Sequence, residues 1–262
     1  MLDFILYYSR VALELARLLG VRFIPGRGLD GVVGKMLATV INYHNRGNHE
    51  FRDREITKLT LLASELKDIE NFSPELLAKF RNMYRHNRAD YYGFRMEVAA
   101  ASLFIRRKIN FVKNESPDFS ITTPNNEDVF VECGSTHLSK RKDGNIGYKI
   151  AATVSSKIAT PYMNTKTVLF LDITNIIHHS LISEVYLEQE QIESIVRKQM
   201  SSRQIGGTCL FFYMLDKEKD YFGYHSIRVD NDDADPLLLE FLNAQFPVEG
   251  QELSDYDVPS EG

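Results

Sequence analysis

The chain has little cysteine. Cys133 and Cys209 are its two cysteines, too few for a disulfide framework or a four-cysteine zinc site, and a reducing cytoplasm fits that usage best. It has no excess of positive charge. Thirty-one Lys and Arg stand against 36 Asp and Glu, a net charge of -5, which argues against a broadly basic nucleic-acid binder while leaving room for a local basic patch. No internal repeat and no low-complexity block is present. No stretch approaches the run of about 20 apolar residues that a membrane span needs. Leu2 to Leu19 comes nearest, but Asp3, Arg10, Glu14 and Arg17 interrupt it at helical intervals. Without a basic start or a small-residue cleavage site it reads as an amphipathic core helix rather than a signal peptide.

What is present is ordinary globular composition, 44% hydrophobic and 26% charged, which excludes a disordered chain. The 262 residues suffice for one large domain or two small ones. Residues 1–90 read as a helical region, with helices expected near 2–19, 29–46, 53–69 and 74–86. Ser73-Pro74 supplies a cap and a first-turn proline for the last of these. Residues 91–230 alternate. A helix near 91–108 precedes strands at Phe111-Val112, 118–122 and 128–134, and a helix near 147–159 precedes the near-continuous apolar run Thr167–Thr174. Such a run suits a strand buried on both faces. A helix near 188–202 and strands at 208–214 and 221–229 follow. Residues 231–262 form an acidic C-terminal segment with an end expected to be mobile. The architecture expected is α/β: a mixed central sheet flanked by helices, preceded by an all-helical N-terminal region.

The segment Ser116–Thr136 carries the chemistry. Thr123-Pro-Asn-Asn-Glu127 is turn chemistry between two strand-like runs. A hairpin centred on Asn125 sets Thr122 opposite Asp128 and, on the same register, Asp118 opposite Glu132. Both carboxylates then point to one face. Directly opposed residues have Cβ atoms about 4.5–5.5 Å apart, where like charges destabilise, and a divalent cation would offset that cost. Glu132 follows Val129-Phe130-Val131 and precedes Cys133-Gly134, an apolar setting in which a plain surface acid is out of place. Glu97, on the 91–108 helix, shares a face with Ala101 and Phe104 and borders the buried side.

In their order, Glu97, Pro117-Asp118 and Glu132-Cys133-Gly134 resemble the PD-(D/E)XK nuclease superfamily, the restriction-endonuclease-like fold. There a helix bearing Glu precedes a strand starting Pro-Asp and a strand carrying Glu-x-Lys. The resemblance covers roughly Tyr91 to Met214. It implies hydrolysis of phosphodiester bonds in DNA or RNA, with Mg²⁺ (or Mn²⁺) held by Asp118, Glu132 and the Cys133 carbonyl, and with Glu97 assisting. The sequence departs from the pattern at the lysine, which is Gly134 here. The resemblance implies a lysine supplied from elsewhere: Lys149, which is preferred, Lys157 on the same helix, or Lys140 in the loop before it. The alternative is a nuclease-like module that binds nucleic acid or protein without catalysis. Positive charge for a nucleic acid, with DNA favoured over RNA, is offered by Arg81, Arg85, Arg88, Arg95, Arg106, Arg107 and Lys108 with Tyr84, Tyr91 and Tyr92 interleaved. Lys140-Arg141-Lys142 adds a second cluster. No membrane partner is expected, and a homodimer is left open.

Weaker signals are read as structural. Gly26-Arg-Gly28-Leu-Asp-Gly31 fits GxGxxG but lacks the strand before it and the βαβ unit after it, so it reads as a loop into the second helix. His178-His179 are adjacent and would point opposite ways on a strand. Cys133 has the parity of Val131, away from the carboxylate face, and reads as a buried thiol despite His137 nearby. Asp172 has no partner assignable from sequence.

Overall fold

The computed structural model describes residues 2–22, 29, 31–86, 91–136, 146–177, 187–201, 203–216, 221–248 and 256–257. The chain divides into two compact units, residues 1–109 and 110–260.

The first unit is helical: α1 (Leu2–Leu19), α2 (Gly31–Asn45), α3 (His49–Phe72), α4 (Pro74–His86) and α5 (Tyr91–Arg106). Helix α1 buries Val11, Ala12, Leu15, Leu18 and Leu19, and α3 buries Ile56, Leu59, Leu62, Leu66 and Ile69, the helical spacing expected of core faces. The Asn48 side chain caps α3 by accepting from the Phe51 N–H at 3.3 Å. Ser73 does two jobs. Its N–H closes α3 on the Ile69 carbonyl, and its hydroxyl oxygen accepts from the Leu76 N–H to open α4, with Pro74 at the first helical position.

Helix α5 belongs to this unit, so the boundary falls after residue 109 rather than at 90. The reason lies in its contacts with α3 and α4. Arg95 forms a buried ion pair with Glu65, Ser102 Oγ donates to Asp68 Oδ2 at 2.7 Å, and Phe80 meets Phe94 edge to face. The break in helical pattern expected at 87–90 falls between α4 and α5, both of the helical unit. Residues 87–90 themselves lie outside the described set.

The second unit is mixed α/β. Its strands are β1 (Phe111–Lys113), β2 (Phe119–Thr122), β3 (Asp128–Ser135), β4 (Thr167–Asp172), β5 (Gly207–Asp216), β6 (Tyr221–Asp230) and β7 (Tyr256–Asp257). They form one sheet in the order β1-β2-β3-β4-β5-β6, with β7 beside the end of β5. β1, β2 and β3 are antiparallel, β3, β4 and β5 are parallel, and β6 returns antiparallel to β5. Helix α6 (Ile146–Ile158) is the crossover from β3 to β4, and α7 (Gln189–Met200) precedes β5.

One face of the sheet is covered by Ile150, Val154 and Ile158 of α6 and Ile192, Val196 and Met200 of α7, packed on Leu169, Leu171, Leu210 and Phe212. On the other face Phe170 and Phe211 meet Phe246. Every residue of β4 is buried, as its continuous apolar run requires. The C-terminal segment holds a helix that its acidic composition hides: α8 (Pro236–Gln245), capped by Asp235 Oδ1 accepting from the Leu237 N–H at 2.9 Å. Gly206 is required beneath it, because a Cβ there would fall 2.1 Å from Leu238 Cδ2. Residues 258–262, where a mobile end is expected, lie outside the described set.

Candidate active site

The site is built on the β2–β3 hairpin. Its ladder pairs Phe119 with Val131, Ser120 with Phe130, Ile121 with Val129 and Thr122 with Asp128, the register read from the turn sequence. The Thr123 N–H donates to the Glu127 carbonyl at 2.9 Å, and Asn126 takes the left-handed conformation (φ 57°) that Asn tolerates in turns. Asp118 immediately precedes β2 and Glu132 lies within β3. Both are buried.

Bonded pairs alternate along an antiparallel ladder. Counting from Thr123 and Glu127, the pair after Phe119–Val131 would join Pro117 to Cys133. Proline has no N–H to give the Cys133 carbonyl. The Cys133 N–H goes instead to Asp118 Oδ2 at 2.7 Å. In an extended residue the N–H and C=O face the same edge, so the Cys133 carbonyl also looks toward the β2 side. Pro-Asp at this point thus ends the ladder and fixes one carboxylate oxygen.

The structure sets Lys157, not Lys149, beside the acids. Lys157 Nζ lies 2.8 Å from Glu132 Oε1. Its Cε stands 3.1 Å from where a Cβ at Gly134 would be. A lysine from α6 therefore occupies the space that a side chain at residue 134 would fill, which explains the glycine. Burial works against the Lys157 ammonium, but the hydrogen bond to Glu132 and the charges of Glu132 and Asp118 outweigh it and hold the group above its ordinary range. Lys149 lies two turns earlier on α6 and is half-buried. Lys140 lies outside the described residues.

A second lysine went unread in the sequence. Lys113, at the end of β1, is nearly fully buried, and its ammonium lies 3.2 Å from Asp118 Oδ1 and 2.7 Å from the Asn114 carbonyl. A lysine ending the apolar run Phe111-Val112 was the available signal. Asp118, Glu132, Lys113 and Lys157 thus form two ion pairs whose formal charges cancel.

Two carboxylates and a backbone carbonyl are hard oxygen donors, the set that Mg²⁺ or Mn²⁺ takes. Among the described residues no three His, Cys, Asp or Glu side chains converge as a metal centre, so this donor set is two side chains and a carbonyl. Glu97 is buried on α5 of the first unit.

Much of the basic segment serves the helical unit. Arg81 donates to the Leu18 and Arg17 carbonyls, Arg95 pairs with Glu65, and Arg106 pairs with Asp68 at 2.6 Å. Tyr91 is buried. Arg107 and Lys108 remain exposed. Nothing is described at Arg88, His137, Lys140-Arg141-Lys142 or His178-His179, and the Arg85 side chain is also outside the described set. Within the glycine-rich loop, Leu29 and Gly31 alone are described. Asp172 has a structural role: its Oδ1 accepts from the Thr174 N–H at 2.8 Å and the Thr174 hydroxyl at 2.6 Å, turning the chain after β4. Cys133 and Cys209 are both buried, and burial pushes the Cys209 thiol up to about 12, away from the character of a nucleophile.

No family model, no curated protein and no solved structure matches the chain. The fold and site define a mixed α/β domain with paired acids and two lysines at the open end of a hairpin. No helix among the described residues is long and apolar enough to cross a membrane.

Proposed function

We propose that this protein is a metal-dependent nuclease that hydrolyses phosphodiester bonds of DNA or RNA. The observation that carries this reading is Lys157. It reaches Glu132 through the space that Gly134 leaves, which supports an acid–lysine pairing supplied from α6 in place of the PD-(D/E)XK lysine. The order helix, three antiparallel strands, crossover helix and parallel strand supports the same restriction-endonuclease-like reading.

Asp118, Glu132 and the Cys133 carbonyl would hold the divalent cation, which supplies Lewis acidity toward the phosphodiester when bound. The protein's own groups do the rest. The Cys133 N–H fixes Asp118. Glu132 holds the Lys157 ammonium at the site, where it orients an attacking water and offsets charge developing on the phosphoryl oxygens.

The balanced acid–lysine pairs also favour a second reading, a nuclease-like binding module without catalysis. Incubating DNA and RNA substrates with Mg²⁺ or Mn²⁺ and either wild type or Asp118→Ala separates the two. Metal-dependent cutting by wild type that the substitution abolishes is the expected result. Equal cutting by both proteins would defeat the hairpin site, and binding without cutting would establish the second reading.

A further inference from the structure

The resemblance supplies one lysine to this site, and the structure holds two. Lys113 is the additional one. Its side chain is 7% exposed, its ammonium bonds Asp118 Oδ1 and the Asn114 carbonyl, and it lies 5.2 Å from the centre of the Phe119 ring. An ammonium this buried is costly without a partner, and Asp118 supplies one. With Cys133 N–H on Oδ2, Asp118 has a donor on each oxygen. Two acids with one lysine would leave a net negative charge to attract a divalent cation. Two acids with two lysines leave none.

We propose that Lys113 is a latch on metal loading, an inference that rests on the nuclease reading of the same site. In the metal-free protein its ammonium occupies Asp118, and it must leave Oδ1 before the acid pair can take a divalent cation. A phosphodiester has the chemistry to draw it off, since an anionic phosphoryl oxygen accepts from an ammonium as a carboxylate does. Cation and nucleic-acid backbone then load together: the phosphate takes Lys113, and the released Asp118 takes the metal. Lys113 is a positioning residue in this scheme, acting through Asp118. Its strand β1 is three residues long and pairs with β2 at the end of the sheet path, a small element to shift.

The test is Mn²⁺ binding, followed by the paramagnetic signal of the free ion, in wild type, Lys113→Met and Asp118→Asn. Removing the competing charge is expected to tighten Mn²⁺ binding by about tenfold or more. Adding an uncleavable oligonucleotide analogue is expected to tighten binding to wild type and to change Lys113→Met little. Asp118→Asn should bind poorly under both conditions. A gain of affinity counts only in a variant that melts cooperatively, and Lys113→Gln, which keeps a donor for Asp118, repeats the test should the Met variant fail to do so. Mn²⁺ affinity in both Lys113 variants equal to or below wild type would overturn the latch. If wild type still cuts nucleic acid through Asp118 in that case, the latch alone has failed. If no protein binds Mn²⁺ and none cuts, the latch and the nuclease reading fall together.

Discussion

Lys157→Met separates a lysine that works from one that merely stands nearby. The substitution keeps the length and apolar stem of the side chain and removes the ammonium 2.8 Å from Glu132 Oε1. Removing one partner of a fully buried ion pair costs about 3–5 kcal/mol. The Glu132 side chain is 6% exposed but that of Lys157 is 34% exposed, so solvent screens part of the charge left behind. The expected loss of stability is then about 1–2 kcal/mol. For a chain of this size that lowers the melting temperature by roughly 2–8 °C. The catalytic effect should be larger than the structural one, because loss of a single preorganised charge at a transition state costs about 10²–10³ in rate. Single-turnover cleavage under saturating Mg²⁺, beside a thermal melt, reads both. Lys149→Met is the comparison and should stay within about 0.5 kcal/mol and near wild-type rate. The double variant Gly134→Lys/Lys157→Ala returns the lysine to the strand. With Lys157 shortened, the 3.1 Å obstruction at Gly134 is gone, and a measurable part of the lost rate should return. Wild-type cleavage by Lys157→Met, or a greater loss in Lys149→Met, would refute the reasoning.

Three further outcomes are expected. Gly134→Ala places a methyl group 3.1 Å from Lys157 Cε and 3.4 Å from Leu171 Cδ1, so Lys157 must yield; cleavage should drop while the melting temperature moves little, and an unchanged rate would show that this close fit is irrelevant. In the helical unit, Arg95→Ala strands Glu65, whose carboxyl burial already holds above its usual range, and chemical denaturation should show a loss of about 3–5 kcal/mol that Arg95→Met/Glu65→Leu largely recovers. Arg17 of α1 pairs with Glu14 on its own helix and joins α1 to α3 through Glu70, and its hydrogen bonds hold both carboxyls below their ordinary 4.5. A lowered carboxyl stabilises the fold above its unfolded value and loses that contribution as pH falls through its folded value. The stability gap between wild type and Glu70→Gln should therefore be full near neutral pH and close in acid below 4.5; a gap that persists there would contradict it.

The hairpin was readable because its determinants are local. Thr123–Glu127 sets the turn, the alternation of Phe119, Ile121, Val129 and Val131 sets the faces, and the two together leave one register that buries the apolar side chains. Helix α8 was hidden for the opposite reason. The acidic composition of 231–262 masks Asp235-Pro236, a cap and first-turn proline that announce the helix in two residues. The placement of α5 depended on pairs far apart in sequence, Glu65 with Arg95 and Asp68 with Ser102, which no local pattern displays.

The lysines show where such reading stops and what would extend it. Choosing between Lys149 and Lys157 needs the phase of α6 against the sheet, and phase is set by packing rather than by spacing within the helix. One clue was in the sequence all the same. A motif position occupied by glycine leaves space beside Glu132, and a long side chain from the covering helix can fill it only from a position next to the buried stripe. Ile146, Ile150, Val154 and Ile158 form that stripe; Lys149 and Lys157 each sit one residue before a member of it, so the stripe narrows the choice to these two and the level of each along the sheet decides between them. Lys113 follows from a different argument. It ends a strand of three residues, and Asn114 N–H donates to the Asp118 carbonyl at 2.9 Å, so the short connection from β1 must bring Lys113 back to Asp118. Buried acids need partners. Asking which cations the topology can deliver to Asp118 and Glu132 leads to Lys113 and Lys157, one for each acid.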